Sequence, residues 1–325
     1  MNKKQVISRK SNTKKLWSVL CILVSAIFFS CNGPYKNDYY DNTPTSGKLK
    51  VYFNEGLEPH IKNQAYTFMS QYHNASVECY VATCEEDIVN ALLNDSCKAI
   101  VMNRLLGENE RKAFEQKDLF PKHSALAKTG VALITNINTP VRKLTVDQVK
   151  QLLSGELSVK DSTGKMHALS AILDNKCSPS IYYLLDSLLG AKAFGPKCYA
   201  VNKTKELLDK IAEGSGQIGF LDFSWLSDRD DPLFKAYEGK IKFIAVGRTD
   251  TAAFTPNQSS FKTGEYPFTR TIYLLRRSDD FSLAKGFEAF MAGPKGQLLF
   301  LKQGLLPVRQ GERNMEVKFE SPDAN

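Results

Sequence analysis

From Lys48 onward the chain alternates between two hydrophobic periods. "KLKVYFN" places Leu49, Val51 and Phe53 at every second position, the spacing of a half-buried strand that ends at Asn54. "GLEPHIKNQAYTFMSQYH" then spaces Ile61, Ala65, Phe68, Met69 and Tyr72 as one face of a helix. "SVECYVA" predicts a second strand and "EEDIVNALLNDS" a short amphipathic helix after Cys84. "KAIVMN" predicts a third strand, followed by the acidic helix "GENERKAFEQK". This β-α-β-α-β-α order argues for a mainly parallel sheet covered by helices, whose ligands sit at the carboxyl ends of the strands. Those ends are Asn54-Glu55-Gly56-Leu57 and Asn103-Arg104.

The pattern continues to the C-terminus. "GVALITN" is a strand, and Thr145 caps a helix with Val146, Val149, Leu152 and Leu153 on its apolar face, stopped by Gly155. "MHALSAIL" is a strand that leads to Ser178-Pro179-Ser180, at the head of the apolar-periodic run "IYYLLDSLLG". "KTKELLDKIAEG" is a helix, and "QIGFLDF", "IKFIAV" and "TRTIYLLRR" are strands. "LAKGFEAFMAGPKGQLLFLKQG" is a helix pair broken at Gly293-Pro294. Residues 313–325 form a polar tail.

The first 30 residues differ from the rest. "MNKKQVISRKSNTKK" carries six basic residues and no acid, and an apolar run of 15 residues follows before Cys31. With Phe28-Phe29-Ser30 ahead of the cysteine, this is similar to a bacterial lipoprotein signal peptide, with Cys31 as the lipidated residue. Residues 31–47 then read as a polar tether. Loss of residues 1–30 changes the charge. Lys+Arg falls from 43 to 37 against 35 Asp+Glu, so the net charge drops from +8 to 37 − 35 = +2. The basicity is mostly a targeting feature, and nothing electrostatic points to nucleic acid.

Of the seven cysteines, Cys79, Cys84, Cys97, Cys177 and Cys198 belong to the folded part. An odd number argues against a complete disulfide framework. One bridge is expected at most, between Cys177 and Cys198, which flank one predicted helix; the other thiols are expected to be buried and free. His60, His73, His123 and His167 are scattered, so no metal site is expected, and no cofactor either.

Enzyme motifs fail on context. "GSGQIG" (residues 214–219) satisfies G-x-G-x-x-G but follows a helix and precedes a strand, the reverse of the dinucleotide arrangement. "STGK" (Ser162–Lys165) matches S-x-x-K but sits in a polar turn. No Walker A, G-x-S-x-G or H-E-x-x-H pattern occurs, so no enzyme is expected.

Several segments together resemble the phosphate-binding lipoproteins of phosphate ABC transporters, the PstS-like branch of the periplasmic binding proteins. They are "GVALITNINTPVRKLTVDQVKQLLSGEL", "AEGSGQIGFLDF", "TGEYPFTRTIYLL" and "FEAFMAGPKGQLLFLKQGLLPV". Their order and spacing carry the resemblance from about Lys48 to Val308. It implies an α/β, two-lobe periplasmic binding protein type II fold, each lobe a mainly parallel sheet flanked by helices, joined by a two-strand hinge. Residues 48–133 plus 260–312 would form lobe 1 and residues 134–259 lobe 2. The implied partners are inorganic phosphate or a similar oxyanion in the interlobe cleft, an ABC permease complex, and the membrane through the lipid anchor at Cys31 on the periplasmic side of the cell envelope. The alternative is a surface lipoprotein that keeps the fold as a sensing or interaction module.

Three places would supply the ligand contacts. Asn54, Glu55, Gly56 and Leu57 follow the first strand, where Gly56 lets backbone approach a ligand. Asn103 and Arg104 follow the third; Arg104 offers a planar fork to an oxyanion or pairs with Glu108 or Glu110. In the family a Ser-Gly-Thr triplet caps a helix and holds phosphate, and here Ser178-Pro179-Ser180 aligns with it. Pro179 removes one N–H, and Asp174 stands where the family often carries arginine. The missing positive charge is therefore expected from Arg104. A carboxylate facing the ligand, Glu55 or Asp174, would favour a protonated oxyanion over sulfate. Arg270 reads as a structural or hinge residue, and Arg276-Arg277 as a solvated face.

Overall fold

The computed structural model of the chain describes residues 42–160, 166–191, 193–214, 216–278 and 280–309. The leader, Cys31, most of the tether, the Ser162–Lys165 turn and the polar tail lie outside the described residues.

The elements run β1 (Gly47–Asn54), α1 (Glu58–Gln71), β2 (Ala75–Ala82), α2 (Glu85–Leu93), β3 (Ala99–Met102), α3 (Glu108–Glu115) and β4 (Lys122–Asn136). They continue with β5 (Lys143–Thr145), α4 (Val146–Leu153), β6 (Ser158–Lys160), β7 (Met166–Ala168), β8 (Ser170–Leu173) and α5 (Pro179–Tyr182). After these come β9 (Cys198–Ala200), α6 (Thr204–Glu213), β10 (Gln217–Asp222), α7 (Pro232–Tyr237), β11 (Ile241–Phe243) and β12 (Ala245–Gly247). The chain closes with α8 (Gln258–Thr263), β13 (Thr269–Arg276), α9 (Leu283–Ala292), α10 (Pro294–Lys302) and β14 (Leu306–Pro307).

The main sheet is mixed, in the order β2-β1-β3-β13-β4-β10-β8-β9, with β11 and β14 also on β4. Its first wing has a parallel core, β2-β1-β3, and its second wing another, β10-β8-β9. The antiparallel strand β4 belongs to both. Residues up to Gly130 pair with β13, and Val131 onward pairs with β10. The sequence predicts this strand from Gly130 only. Its first half, Lys122–Thr129, lacks a continuous apolar run because it gains its place by pairing with β13. "MHALSAIL" is split between β7 and β8, which lie in different sheets.

Helical periodicity translates directly into packing. Ile61, Ala65 and Phe68 of α1 are buried, and Phe68 stacks edge-on against Phe287 and Phe290 of α9. Thr145 caps α4 as expected: its Oγ1 accepts from Gln148 N at 3.2 Å while Gln148 Oε1 accepts from Thr145 N at 2.8 Å. The run after Ser180 starts as α5 and widens into π-helical turns over Tyr183–Leu189, ending at Gly190 with φ 58°. The end of the tether is docked: Asn42 Oδ1 accepts from Leu283 N at 3.0 Å, at the start of α9. Arg276 is buried and pairs with Glu288 at 2.5 Å, so it is no solvated face. It lies on the same side of β13 as Ile272 and Leu274. No helix among the described residues is long and apolar enough to cross a membrane.

Close packing of α6 on β10 depends on Gly219. A Cβ there would stand 2.8 Å from Leu207 Cδ2 and 3.0 Å from both Ile134 Cγ1 and Ile211 Cγ1. Gly219→Ala overpacks this contact and is expected to destabilise the protein by about 1–3 kcal/mol. The shift in urea midpoint measures it.

Candidate functional site

Three strands end around one small cavity. β1 ends at Asn54, β8 leads into Asp174, and β10 ends at Asp222. The first belongs to one wing and the other two to the second, so the cavity lies where the wings meet. Its volume is about 20 Å³, room for roughly one water-sized group as the walls stand. Asn54, Glu55, Gly56, Asp174, Ser178 and Ser180 line it, with Thr83, Asn175, Pro179, Thr204, Asp222 and Trp225.

Each lining group is held by local structure. Ser178 is the N-cap of α5: its Oγ accepts from Ile181 N at 3.2 Å and donates to Asp174 Oδ1. Pro179 occupies the first helical position, where its missing N–H costs nothing. Gly56 packs closely against the other wing: a Cβ would stand 3.1 Å from Ser224 Oγ and 3.2 Å from Trp225 Nε1, so those side chains would have to give way. Asn54 is 3% exposed, and its Nδ2 has no hydrogen-bond partner.

Beneath the cavity, Asp222 accepts from donors of both wings. Its Oδ1 accepts from Thr129 Oγ1 at 2.8 Å, Ser224 N at 2.9 Å and Ser224 Oγ at 2.7 Å. Its Oδ2 accepts from Asn103 Nδ2 at 2.6 Å and from Arg270 Nη2. Arg270 also donates through Nη1 to Pro179 O at 2.8 Å and reaches Ser180 Oγ at 3.4 Å. Its guanidinium lies over the Tyr183 ring, 5.6 Å from the centroid.

These contacts redistribute the expected roles. Glu55, Gly56, Asn54, Asp174, Ser178 and Ser180 come together as cavity walls. Leu57 is a core residue, and Asn103 braces Asp222 from below. Arg104 does not line the cavity. It is bound by Glu85 Oε2 at 2.8 Å and by both oxygens of Glu110 at 2.7 and 2.9 Å. The Glu85 side chain is only 1% exposed, so its buried charge requires that cation. Arg270 does not line the cavity either, but it braces three of its wall residues, Asp222, Pro179 and Ser180, as the structural residue expected from sequence. Its alternation with buried Ile272 and Leu274 on one face of β13 is the signal that places it inside.

The Cys177–Cys198 bridge left open by the sequence is not formed. Cys177 is bonded to Cys84, with Cα atoms 4.7 Å apart. Cys198 is free, and its thiol donates to Leu153 O at 3.2 Å. Cysteines that flank a helix in sequence are separated here because β9 lies alongside β8 while Cys177 faces the other wing.

The cavity is acidic for an anion site. Burial raises Asp174 to about 7; the Ser178 hydroxyl and Arg270 oppose the shift, while Asp222 and Glu55 add to it. Burial also raises Glu55, assisted by Glu58. Asp222 is directly compensated by Arg270, whereas Asp174 accepts only a neutral hydroxyl.

The raised carboxyl of Asp174 makes stability depend on pH. The folded state keeps the proton that the unfolded state has already released, so this group's contribution falls as pH rises from its ordinary 3.8 to about 7. Asp174→Asn preserves the acceptor for Ser178 and is expected to stabilise the protein at pH 8 by on the order of 2–4 kcal/mol. The gain should vanish below pH 4; denaturant melts across pH measure it. Arg270→Met leaves Asp222 as an uncompensated buried charge and is expected to cost about 3–5 kcal/mol in the same assay.

Comparison with known proteins places the fold. Residues 41–295 match the model of the family described as the PBP superfamily domain. Among solved structures, the chain is similar to a protein of Clostridium perfringens described as a phosphate ABC transporter substrate-binding protein with bound phosphate. The TM-score is 0.65 at 17% identity, covering 81% of this chain and 100% of that one. An ABC-type phosphate transport receptor from Vibrio cholerae gives 0.62 at 16% identity, covering 80% and 100%. PstS from Borrelia burgdorferi gives 0.55 at 17% identity, covering 81% and 99%. No curated protein matches the chain at a significant level. Identities this low speak for the fold and not for the ligand. The family match spans most of the chain, and its mixed sheet with a strand shared between two wings is the same architecture: the chain belongs to the PBP superfamily.

Proposed function

We propose that this protein is a solute-binding protein that captures phosphate between its two wings and delivers it to an ABC permease. The carrying observation is Asn54 Nδ2, without a hydrogen-bond partner among the described residues and buried in the wall of the cavity that Ser178 and Ser180 also line. A buried donor without a partner costs free energy, and a bound oxyanion supplies the acceptor. A fold neighbour holds phosphate, which makes phosphate the oxyanion to test first. In this reading residues 1–30 are the leader, Cys31 carries the lipid, and the protein works at the periplasmic side of the cell envelope. Its task is binding, without catalytic turnover.

Asp174 shapes which oxyanion fits. With its carboxyl raised to about 7, it can hold a proton toward the ligand or accept one from it. Hydrogen phosphate meets either state, because it carries both a proton and bare oxygens. Sulfate offers only acceptors, so an ionised Asp174 leaves unpaired charge against it.

Calorimetry with phosphate, sulfate and molybdate tests the reading. Phosphate is expected to bind and to raise the melting temperature, with sulfate at least tenfold weaker. Ser178→Ala with Ser180→Ala should cost about 1 kcal/mol of stability through the lost cap. It should also weaken phosphate binding by at least tenfold while the protein stays folded. Absence of any phosphate-induced stabilisation in the unaltered protein would overturn the assignment.

A further inference from the structure

The two wings are joined by the chain at two places. β4 passes between them at Gly130–Val131, and residues 248–268 return to β13. The two passages run side by side, since Val131 N donates to Phe268 O at 3.0 Å and Tyr266 Oη donates to Val131 O at 2.6 Å. Two adjacent connections leave one easy motion, rotation of one wing against the other about the line they define. The Cys84–Cys177 disulfide is a third covalent link, and it lies away from that line. Cys84 follows β2, the outermost strand of the first wing, four strands from β4 in the sheet order. Cys177 follows β8 on the other wing.

The bridge also sits on the rim of the cavity. Thr83, next to Cys84, lines it, as do Asn175 and Ser178 on either side of Cys177. Cysteines 84 and 177 are both partly exposed, so a reagent in solution can reach them. The remaining described cysteines differ. Burial pushes the thiols of Cys79 and Cys198 up to about 11 and that of Cys97 to about 12, which leaves them protonated and inert.

We propose that Cys84–Cys177 is a thiol–disulfide exchange site that latches the cavity: oxidised, it holds the wings together over the ligand; reduced by a dithiol, it frees them to open. This rests on the cavity being the binding site, but not on phosphate being its occupant. In the exchange, a thiolate of the dithiol attacks one sulfur, a new S–S bond forms, and the Cys84–Cys177 bond breaks. The displaced cysteine leaves as thiolate and takes a proton. The second thiolate of the dithiol then attacks the mixed disulfide, closes its own disulfide and releases the other cysteine as a thiol. Two electrons and two protons pass to the pair, and the dithiol is oxidised.

The test uses the full chain, folded under oxidising conditions. Non-reducing peptide mapping should recover the Cys84 and Cys177 peptides joined. Amide hydrogen exchange over residues 54–57 and 178–182 is then compared with and without dithiothreitol, in the absence of ligand. Reduction should speed exchange there at least tenfold while the core strand β1 up to Phe53 stays protected. Cys84→Ser with Cys177→Ser should match the reduced protein and ignore the reductant. Dissociation of inorganic phosphate, followed by stopped flow, should accelerate by a similar factor. Unlinked cysteines in the oxidised protein, or unchanged exchange on reduction, would overturn the latch. Global loss of circular dichroism on reduction would also overturn it, by making the bridge a fold requirement. If exchange responds but phosphate binds neither form, the latch stands and the ligand assignment falls.

Discussion

The carboxylate of Asp222 is the interaction on which the rest of this structure depends. It is buried at the end of β10, and donors from both wings converge on it: Thr129, Asn103 and Arg270 from one side, Ser224 from its own. A charge in that position is tolerable only with its full set of partners. Satisfying it therefore fixes how β3, β4, β10 and β13 sit relative to one another. The same guanidinium that neutralises Asp222 also binds Pro179 O and reaches Ser180 Oγ, so the start of α5 is registered to the hinge strands. The floor of the cavity is thus a by-product of holding the wings together.

That arrangement changes how an anion would be held. The guanidinium that braces the cavity floor is already committed to Asp222, and the other cation acting on a lining group, Lys203, lowers Glu55 against the effect of burial. What remains for a ligand are neutral dipoles: the Asn54 amide, the Ser178 and Ser180 hydroxyls and the first turn of α5. Asp174 adds a carboxyl that burial drives toward neutrality. Such a site discriminates by protons and by hydrogen-bond direction more than by net charge. The Cys84–Cys177 bridge adds a covalent constraint at the rim of the same cavity, which ties ligand exchange to thiol chemistry.

Much of the site was legible in the residues. Asn54, Glu55 and Gly56 follow a clearly alternating strand, and Ser178-Pro179-Ser180 is a helix start on its face. Their meeting in one cavity follows from the rule that ligands gather at the carboxyl ends of strands. The guanidinium was misplaced because Arg104 also follows a strand, and nothing local says that Glu85 and Glu110 already claim it. Arg270 is the structural residue that its place in an apolar strand suggests, but its partner, 48 residues earlier in the chain, is not legible locally. The disulfide is illegible locally for a similar reason. Cys177 is near Cys198 in sequence, but its actual partner lies 93 residues away.

The sequence by itself determined the order of strands and helices, the caps of α4 and α5, and the apolar faces that form the core. These depend on periodicity and on interactions a few residues apart, which a chain carries wherever it folds. Tertiary structure decided the rest: the first half of β4, the short strand β9, the pairing of Cys84 with Cys177, and the pairing of Arg270 with Asp222 and of Arg104 with Glu85 and Glu110. Each is a competition among distant partners for one charge, one sulfur or one sheet edge. Such competitions are settled by which surfaces the packed wings bring within a few ångströms, and no local pattern records that outcome.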